Sequence, residues 1–274
     1  ESLKETFFVI DNNKQKPNLY IISVGVSNYK DANFNLNYAA KDANDISHFF
    51  DKSELYSNVF VSELTNEKVT KDDIVLFFVA GHGVLNKNMD FYYGAYNMDF
   101  QNPENGGITF EELESLLDGI KPYRKLLFMD TCHSGELDKD DYSTTNLEII
   151  KDNTSIVFRN AGTVGIEAKH GIGLSQSSQL MQELFSDLRR GSGSTVISSA
   201  GGEFAMESTE WKNGLFTFCI LNGMKNKEAD LNNDGVIMLS EMQIYVQTKV
   251  SKLSGGKQLP TSRRENLEFD YRLW

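Results

Sequence analysis

Leu19–Val26, Ile74–Ala80 and Lys125–Met129 are short, nearly unbroken apolar runs, most of them rich in β-branched or aromatic residues, and Ser194–Ser199 reads as another buried strand. A strand that is apolar at successive positions has both faces buried, as a parallel sheet requires. Val59–Leu64 reads as one more short strand. Stretches with apolar residues at helical spacing lie among these runs. Ala39, Ala43, Ile46, Phe49 and Phe50 mark a helix over Tyr38–Phe50, and Thr109–Ile120, Leu174–Leu188, Leu215–Met224 and Ser240–Leu253 read likewise. Strands alternating with helices predict an α/β fold with a mainly parallel sheet. A chain of 274 residues, 40% of them hydrophobic, can bury one sizeable core.

One connection is out of pattern. Parallel neighbours need a crossover of about a dozen residues or more, and Thr65–Asp73 is shorter than that. Either the strands flanking it are not neighbours, or a crossover helix is absent from the chain; absence is the expectation. Glu136–Thr154 is polar and reads as a flexible loop.

In parallel sheets, ligands bind beyond the carboxyl ends of the strands. Gly81-His82-Gly83 follows one apolar run and Asp130-Thr131-Cys132 follows the next. A cysteine nucleophile needs a thiolate, a base to form it and donors for the oxyanion. Imidazole suits the base because it titrates near neutral pH. The glycines beside His82 leave the ring free to face a cleft, and Ser134 and Gly135 let a peptide backbone approach Cys132. Cys219 sits between Phe218 and Ile220 at mid-helix and reads as core packing. His48, His133 and His170 have no base role assigned.

Charge narrows the partners. A net charge of −12 argues against a nucleic-acid-binding surface, which needs a basic stripe, and is compatible with cationic substrates or partners. No apolar run reaches the ~18 residues of a membrane span, and no signal peptide opens the chain. Two cysteines make no disulfide framework, so a reducing, cytoplasmic setting is expected. The start at Glu1 rather than Met reads as a piece of a longer protein, with a sensor or repeat domain upstream.

FFVAGHG followed by LLFMDTCHSG resembles the two signature segments of caspase-like peptidases, above all metacaspases and their bacterial relatives. YIISVGVSNYK and LNYAAKDA resemble that family's first strand and helix, and TVISSAGGEFAMES and WKNGLFTFCILNG its later strand, specificity loop and helix. A base about fifty residues before the nucleophile is also the caspase spacing. The resemblance implies a caspase-like three-layer sandwich, a central sheet with helices on both faces. It implies a linker or edge segment at 1–18, then a peptidase domain over 19–274. That domain divides into a large-subunit-like part (19–137), a processing loop (about 138–172) and a small-subunit-like part (173–274). It implies Cys132 as nucleophile, His82 as base, and the N–H groups of Gly83 and Cys132 as oxyanion hole.

Caspases that cut after aspartate bind it with arginines, and the Asn33–Asp42 segment has none. By resemblance Asp42 and Asp130 match the metacaspase specificity carboxylates, and Glu207, ahead of Glu203, a paracaspase glutamate. Carboxylates favour a cationic side chain, so the expected partner is a protein or peptide substrate cut after Arg or Lys. The alternative leaves Asp42 facing solvent and Asp130 capping a turn. Ala80 stands where metacaspases often have Ser, which weakens the pocket. Lys139, Lys151, Arg159, Lys169, Arg189 and Arg190 offer sites for self-cleavage, and a role in bacterial defence or cell death would fit the resemblance.

Asp230, Asn232, Asp234, the Val236 carbonyl and Glu241 fall at positions 1, 3, 5, 7 and 12 of an EF-hand-type loop, with Gly235 at position 6. They are candidate ligands for Ca²⁺; the alternative is a turn whose Asp and Asn cap and whose Gly permits the bend. The peptidase chemistry itself needs no cofactor. Two rival functions remain: a catalytically silent interaction module of the same fold, and a cysteine hydrolase of small amides.

Overall fold

The computed structural model describes residues 16–51, 53–61, 70–86, 88, 90–118, 120–134, 149–151, 154–159, 194–199, 205–262 and 270–274. Its main sheet runs β12-β9-β6-β3-β1-β2. The five strands from β9 to β2 in that order are β9 (Ser194–Ser198), β6 (Arg124–Ser134), β3 (Ile74–Leu85), β1 (Leu19–Gly25) and β2 (Val59–Val61), all parallel. β12 (Thr261–Ser262) adds antiparallel to β9. β4 (Phe91–Tyr93) folds back antiparallel on β3, and β5 (Ile108–Thr109) on β4.

Burial on both faces explains the apolar runs. Leu76, Phe78, Leu126 and Phe128 pack with residues of α1 (Ala39–Phe50), α3 (Leu215–Lys225) and α4 (Leu239–Leu253). The alternate residues Phe77, Val79, Leu127 and Met129, with Val196, pack with Phe110, Leu113 and Leu117 of α2 (Phe110–Asp118). Successive strand residues point to opposite faces, so one sheet carries two apolar layers and helices on both sides. The expected three-layer α/β sandwich is the architecture observed.

β2 and β3 are not neighbours, because β1 lies between them and pairs with both. Both run parallel to β1, so the connection through Thr65–Asp73 still has to cross the sheet. Two other readings change. Part of the stretch read as a flexible loop is paired. β7 (Ile149–Lys151) and β8 (Thr154–Arg159) form a hairpin in a second sheet of order β11-β10-β8-β7, with β10 (Ala205–Ser208) and β11 (Asn213–Gly214). Ile149, Ile150, Ile156, Val157 and Phe158 are strand formers, and the polar residues before them mask that signal. The helix expected over Leu174–Leu188 lies outside the described residues.

Finally, the two motifs lie within strands rather than after them. The β3–β6 ladder continues through Gly81↔Thr131, His82↔Cys132, Gly83↔His133 and Val84↔Ser134. The flanking partners stop earlier, β1 at Gly25↔Ala80 and β9 at Ser198↔Met129. The two central strands therefore project past β1 and β9, β4 pairs with the projecting part of β3 along Gly83–Leu85, and both motifs sit on the projecting part.

Candidate active site

The loop from β1 to α1 is built to reach that projecting part. At Gly25 a Cβ would stand 2.1 Å from the Ala39 carbonyl oxygen, so only glycine lets the start of α1 pass so close. The loop between them is pinned internally. Asp31 caps the 3₁₀ turn Ala32–Phe34 by accepting from the Asn33 N–H, and Asn35 Oδ1 accepts from the Tyr29 N–H at 2.8 Å.

This loop holds the imidazole of His82, a residue only 1% exposed. Nε2 lies 2.9 Å from the Phe34 carbonyl oxygen. A carbonyl can only accept, so Nε2 carries the hydrogen and, in the neutral ring, Nδ1 keeps the basic lone pair. The rings of Tyr29, Phe100 and Phe34 stand 5.2, 5.5 and 6.3 Å from the imidazole. Phe34 and Phe100 stack on each other at 3.7 Å, which completes an aromatic enclosure. The Tyr29 hydroxyl also accepts from the His82 backbone N–H at 3.1 Å. Gly81 is required by these contacts. Its φ is +156°, and a Cβ there would lie 3.0 Å from the hydroxyls of both Tyr29 and Tyr93. Tyr93 donates to the Ala80 carbonyl at 2.6 Å, holding the strand just before the motif.

Cys132 is the register partner of His82 on β6. Parallel strands run about 4.8 Å apart, and register-paired positions belong to the same face of the pleat. The base and the nucleophile predicted from sequence are thus adjacent along the backbone. The Cys132 side chain lies outside the described part of the structure. Gly83 and Cys132, the expected oxyanion donors, sit one register step apart across the same seam. The second cysteine is unlike the first. Cys219 is fully buried in α3, and burial pushes its thiol up to about 12, far above what a nucleophile at neutral pH requires.

The three carboxylates expected in the specificity pocket converge on the start of α3. Asp42 accepts from the Gly214 N–H at 3.1 Å and from the Asn213 side-chain amide at 2.9 Å. Glu207 is the register partner of Gly214 and accepts from the Asn37 backbone and side-chain amides at 2.9 and 2.7 Å. Asp130 accepts from the Thr217 hydroxyl at 2.6 Å, in the first turn of the helix. All three are buried, which overturns the solvent-facing alternative for Asp42. The positive end of α3 and these donors offset the cost of burying the carboxylates. Glu203 lies outside the described residues.

The loop Asp230–Glu241 lies between α3 and α4, remote in sequence from the motifs. Asp230 accepts from the N–H groups of Asp234 and Gly235, and Asp234 from that of Val236. Glu241 accepts from Leu231, Asn232 and Met238. The carboxylates are turned onto the loop's own backbone, and no group of three or more His, Cys, Asp or Glu side chains among the described residues is placed to hold a metal ion. The candidate calcium ligands Asp230, Asn232, Asp234, Val236 and Glu241 all belong to this one loop. The loop also seats the segment ending at Trp274, through Ile237 N–H to the Trp274 carbonyl and Leu273 N–H to the Ile237 carbonyl, both at 2.8 Å.

Sequence reading singled out His82 and Cys132, which the strand register brings together, but did not single out Tyr29, Phe34 and Phe100, which surround the imidazole. Phe34 contributes a backbone carbonyl, which no residue type announces. Tyr29 lies in a segment, SNYK, noted only for its family resemblance. Among the described residues no helix is long and apolar enough to cross a membrane.

Comparison with known proteins bears on this arrangement. No curated protein sequence matches the chain. Among solved structures it is similar to caspase-1 from Spodoptera frugiperda, at 12% identity and a TM-score of 0.46, over 95% of this chain and 94% of that one. The family profile of the caspase domain, peptidase family C14, matches residues 20–271. That span covers nearly the whole chain, and with it both strand ends that carry His82 and Cys132: the protein belongs to the caspase-domain family of cysteine peptidases.

Proposed function

We propose that this peptidase cleaves protein substrates after Arg or Lys, with Cys132 as nucleophile and His82 as base. The observation that carries the dyad is the register pairing of the two residues on projecting strands. The Phe34 carbonyl holds the imidazole in the tautomer that can take the thiol proton at Nδ1. The thiolate then attacks the scissile carbonyl, the oxygen turns toward the Gly83 and Cys132 N–H groups, and His82 returns the proton to the leaving amine. Water hydrolyses the resulting thioester with the same base.

Preference for a basic side chain is supported by Asp42, Asp130 and Glu207, three carboxylates gathered around the first turn of α3. A guanidinium or ammonium group entering there meets negative charge in a low dielectric, whereas an aspartate would be repelled. Self-processing within the 138–172 stretch belongs to the same reading, since basic residues follow one another along it.

Fluorogenic peptides ending in Arg, Lys or Asp, assayed with and without calcium and with Cys132→Ala as blank, test the proposal. Hydrolysis of the Arg and Lys peptides alone, abolished in the blank, is the expected result. Preference for Asp, or equal rates in the blank, would overturn it. A single intact band from active enzyme would remove the self-processing element.

A further inference from the structure

We infer that Asn37 is a positioning residue for substrate selection: its backbone and side-chain N–H groups fix the Glu207 carboxylate beside the start of α3, where a basic side chain is bound. The inference rests on the proposed preference for Arg or Lys and deepens it.

Glu207 lies on β10, almost fully buried, between Val157 of β8 and Gly214 of β11. The ladder fixes its backbone, but a glutamate keeps three side-chain torsions, the last of them broad. Asn37 narrows that freedom from the far end of the sequence. Its backbone N–H and its side-chain amide both donate to the one oxygen Oε1, at 2.9 and 2.7 Å, although the two residues stand 170 positions apart. Two charge-assisted bonds on one oxygen hold the group more narrowly than either alone.

Asn37 is itself held. Leu36, just before it, is buried in the core and donates its N–H to the Ser27 carbonyl at 2.8 Å. Tyr38, just after it, is the N-cap of α1, and its carbonyl accepts from the Asp42 N–H at 2.7 Å. Asn37 therefore stands at the foot of the helical turn that carries Asp42. Asp42 in turn accepts from the Gly214 N–H, and Gly214 is the register partner of Glu207. The contacts close a circuit: Asn37 to Glu207, across the ladder to Gly214, on to Asp42, and along the first turn of α1 back to Asn37. Two carboxylates from separate elements are thereby set at one mutual placement. A cation feels each charge less the further away it stands, so a Glu207 that swings aside selects less well without losing its charge. Asn37 touches no reacting atom and acts through Glu207.

Steady-state kinetics of the Arg peptide in a double-mutant cycle test this. Asn37→Ala keeps the backbone donor and loses the amide; we expect KM to rise about fivefold or more and kcat to change by less than about twofold. Glu207→Gln keeps the shape and removes the charge, and should raise KM at least as much. Adding Asn37→Ala to Glu207→Gln should then raise KM by less than about twofold further, because the two changes remove one interaction. Alkylation of Cys132 by iodoacetamide, in which the thiolate displaces iodide, reports on the dyad alone and should keep its rate within about twofold in all three variants. Asn37 is exposed, and melting temperatures check that each variant folds. An unchanged KM in Asn37→Ala beside a raised one in Glu207→Gln would overturn the inference. So would a full further rise in the double variant, or alkylation slowed in step with turnover, which would place the effect of Asn37 on the loop that holds His82. An unchanged KM in Glu207→Gln would instead remove Glu207 from the pocket reading beneath, and the inference with it. Wild-type protein that hydrolyses no peptide would sink the peptidase reading itself.

Discussion

At the scale of the residue, His82 shows how much of a candidate site is not written in its own motif. Its ring is set by a backbone carbonyl, its main chain by a tyrosine hydroxyl, and its surroundings by two stacked phenylalanines. Removing the hydroxyl leaves the buried His82 N–H without this acceptor. An unsatisfied buried donor costs about 1–3 kcal/mol. Tyr29→Phe should therefore lower stability by about that amount in a urea titration and reduce kcat more than KM. Full stability and full kcat would show that another acceptor serves as well. The motif residues were legible because their chemistry requires particular types: an imidazole, a thiol, and a glycine where two hydroxyls occupy the space of a Cβ. The support was illegible because carbonyls are common to every residue, and because a tyrosine 53 positions away acts only once the chain has folded.

At the scale of the element, the long strands of the main sheet and the described helices were readable from hydropathy, while, β2 apart, strands of two to four residues were not. β5, β11 and β12 are too short to carry a period. β2 was readable as a strand, but its place at the sheet edge was not, because apolar runs reveal burial and not neighbours. The helix pair α3 and α4 has a particular signature. A Cβ at Gly223 would lie 2.5 Å from the Tyr245 ring, and that ring is anchored because its hydroxyl donates to Glu228 at 2.9 Å. The ring cannot swing aside without losing that bond. Gly223→Ala should therefore destabilise the fold by about 1–3 kcal/mol, as overpacking does, despite the better helix propensity of alanine. An unchanged or raised melting temperature would show that the helices separate freely. In the acidic loop between these helices, the residue pattern that fits cation binding also serves its own backbone, and the loop seats the Trp274 segment.

At the scale of the whole molecule, burial of acids that stay protonated sets the response to alkali. Cys219 is pushed up to about 12, and burial also raises Tyr56, Tyr245 and Tyr271. In the unfolded chain a thiol titrates near 8.5 and a phenol near 10. Between those values and the folded ones, the native state holds protons that the unfolded state has lost. Stability is then fully present below about pH 8.5 and declines as pH rises above it. Urea midpoints should be flat with respect to these groups from neutrality to about pH 8.5 and fall steadily beyond. A midpoint still constant at pH 10.5 would contradict the assignment. Native protein treated with iodoacetamide at neutral pH should leave Cys219 unlabelled until the chain is unfolded.

The projecting part of β3 and β6 carries a further implication. Where the sheet is five parallel strands wide, β3 and β6 are braced by β1 and β9; past Ala80 and Met129 those two neighbours end and β4 takes the place of β1 along Gly83–Leu85, beside His82 and Cys132. The residues proposed for catalysis are therefore held by β4 and by the loop between β1 and α1 rather than by the wide sheet, and a shift of those flanking segments would move them while leaving the foundation in place.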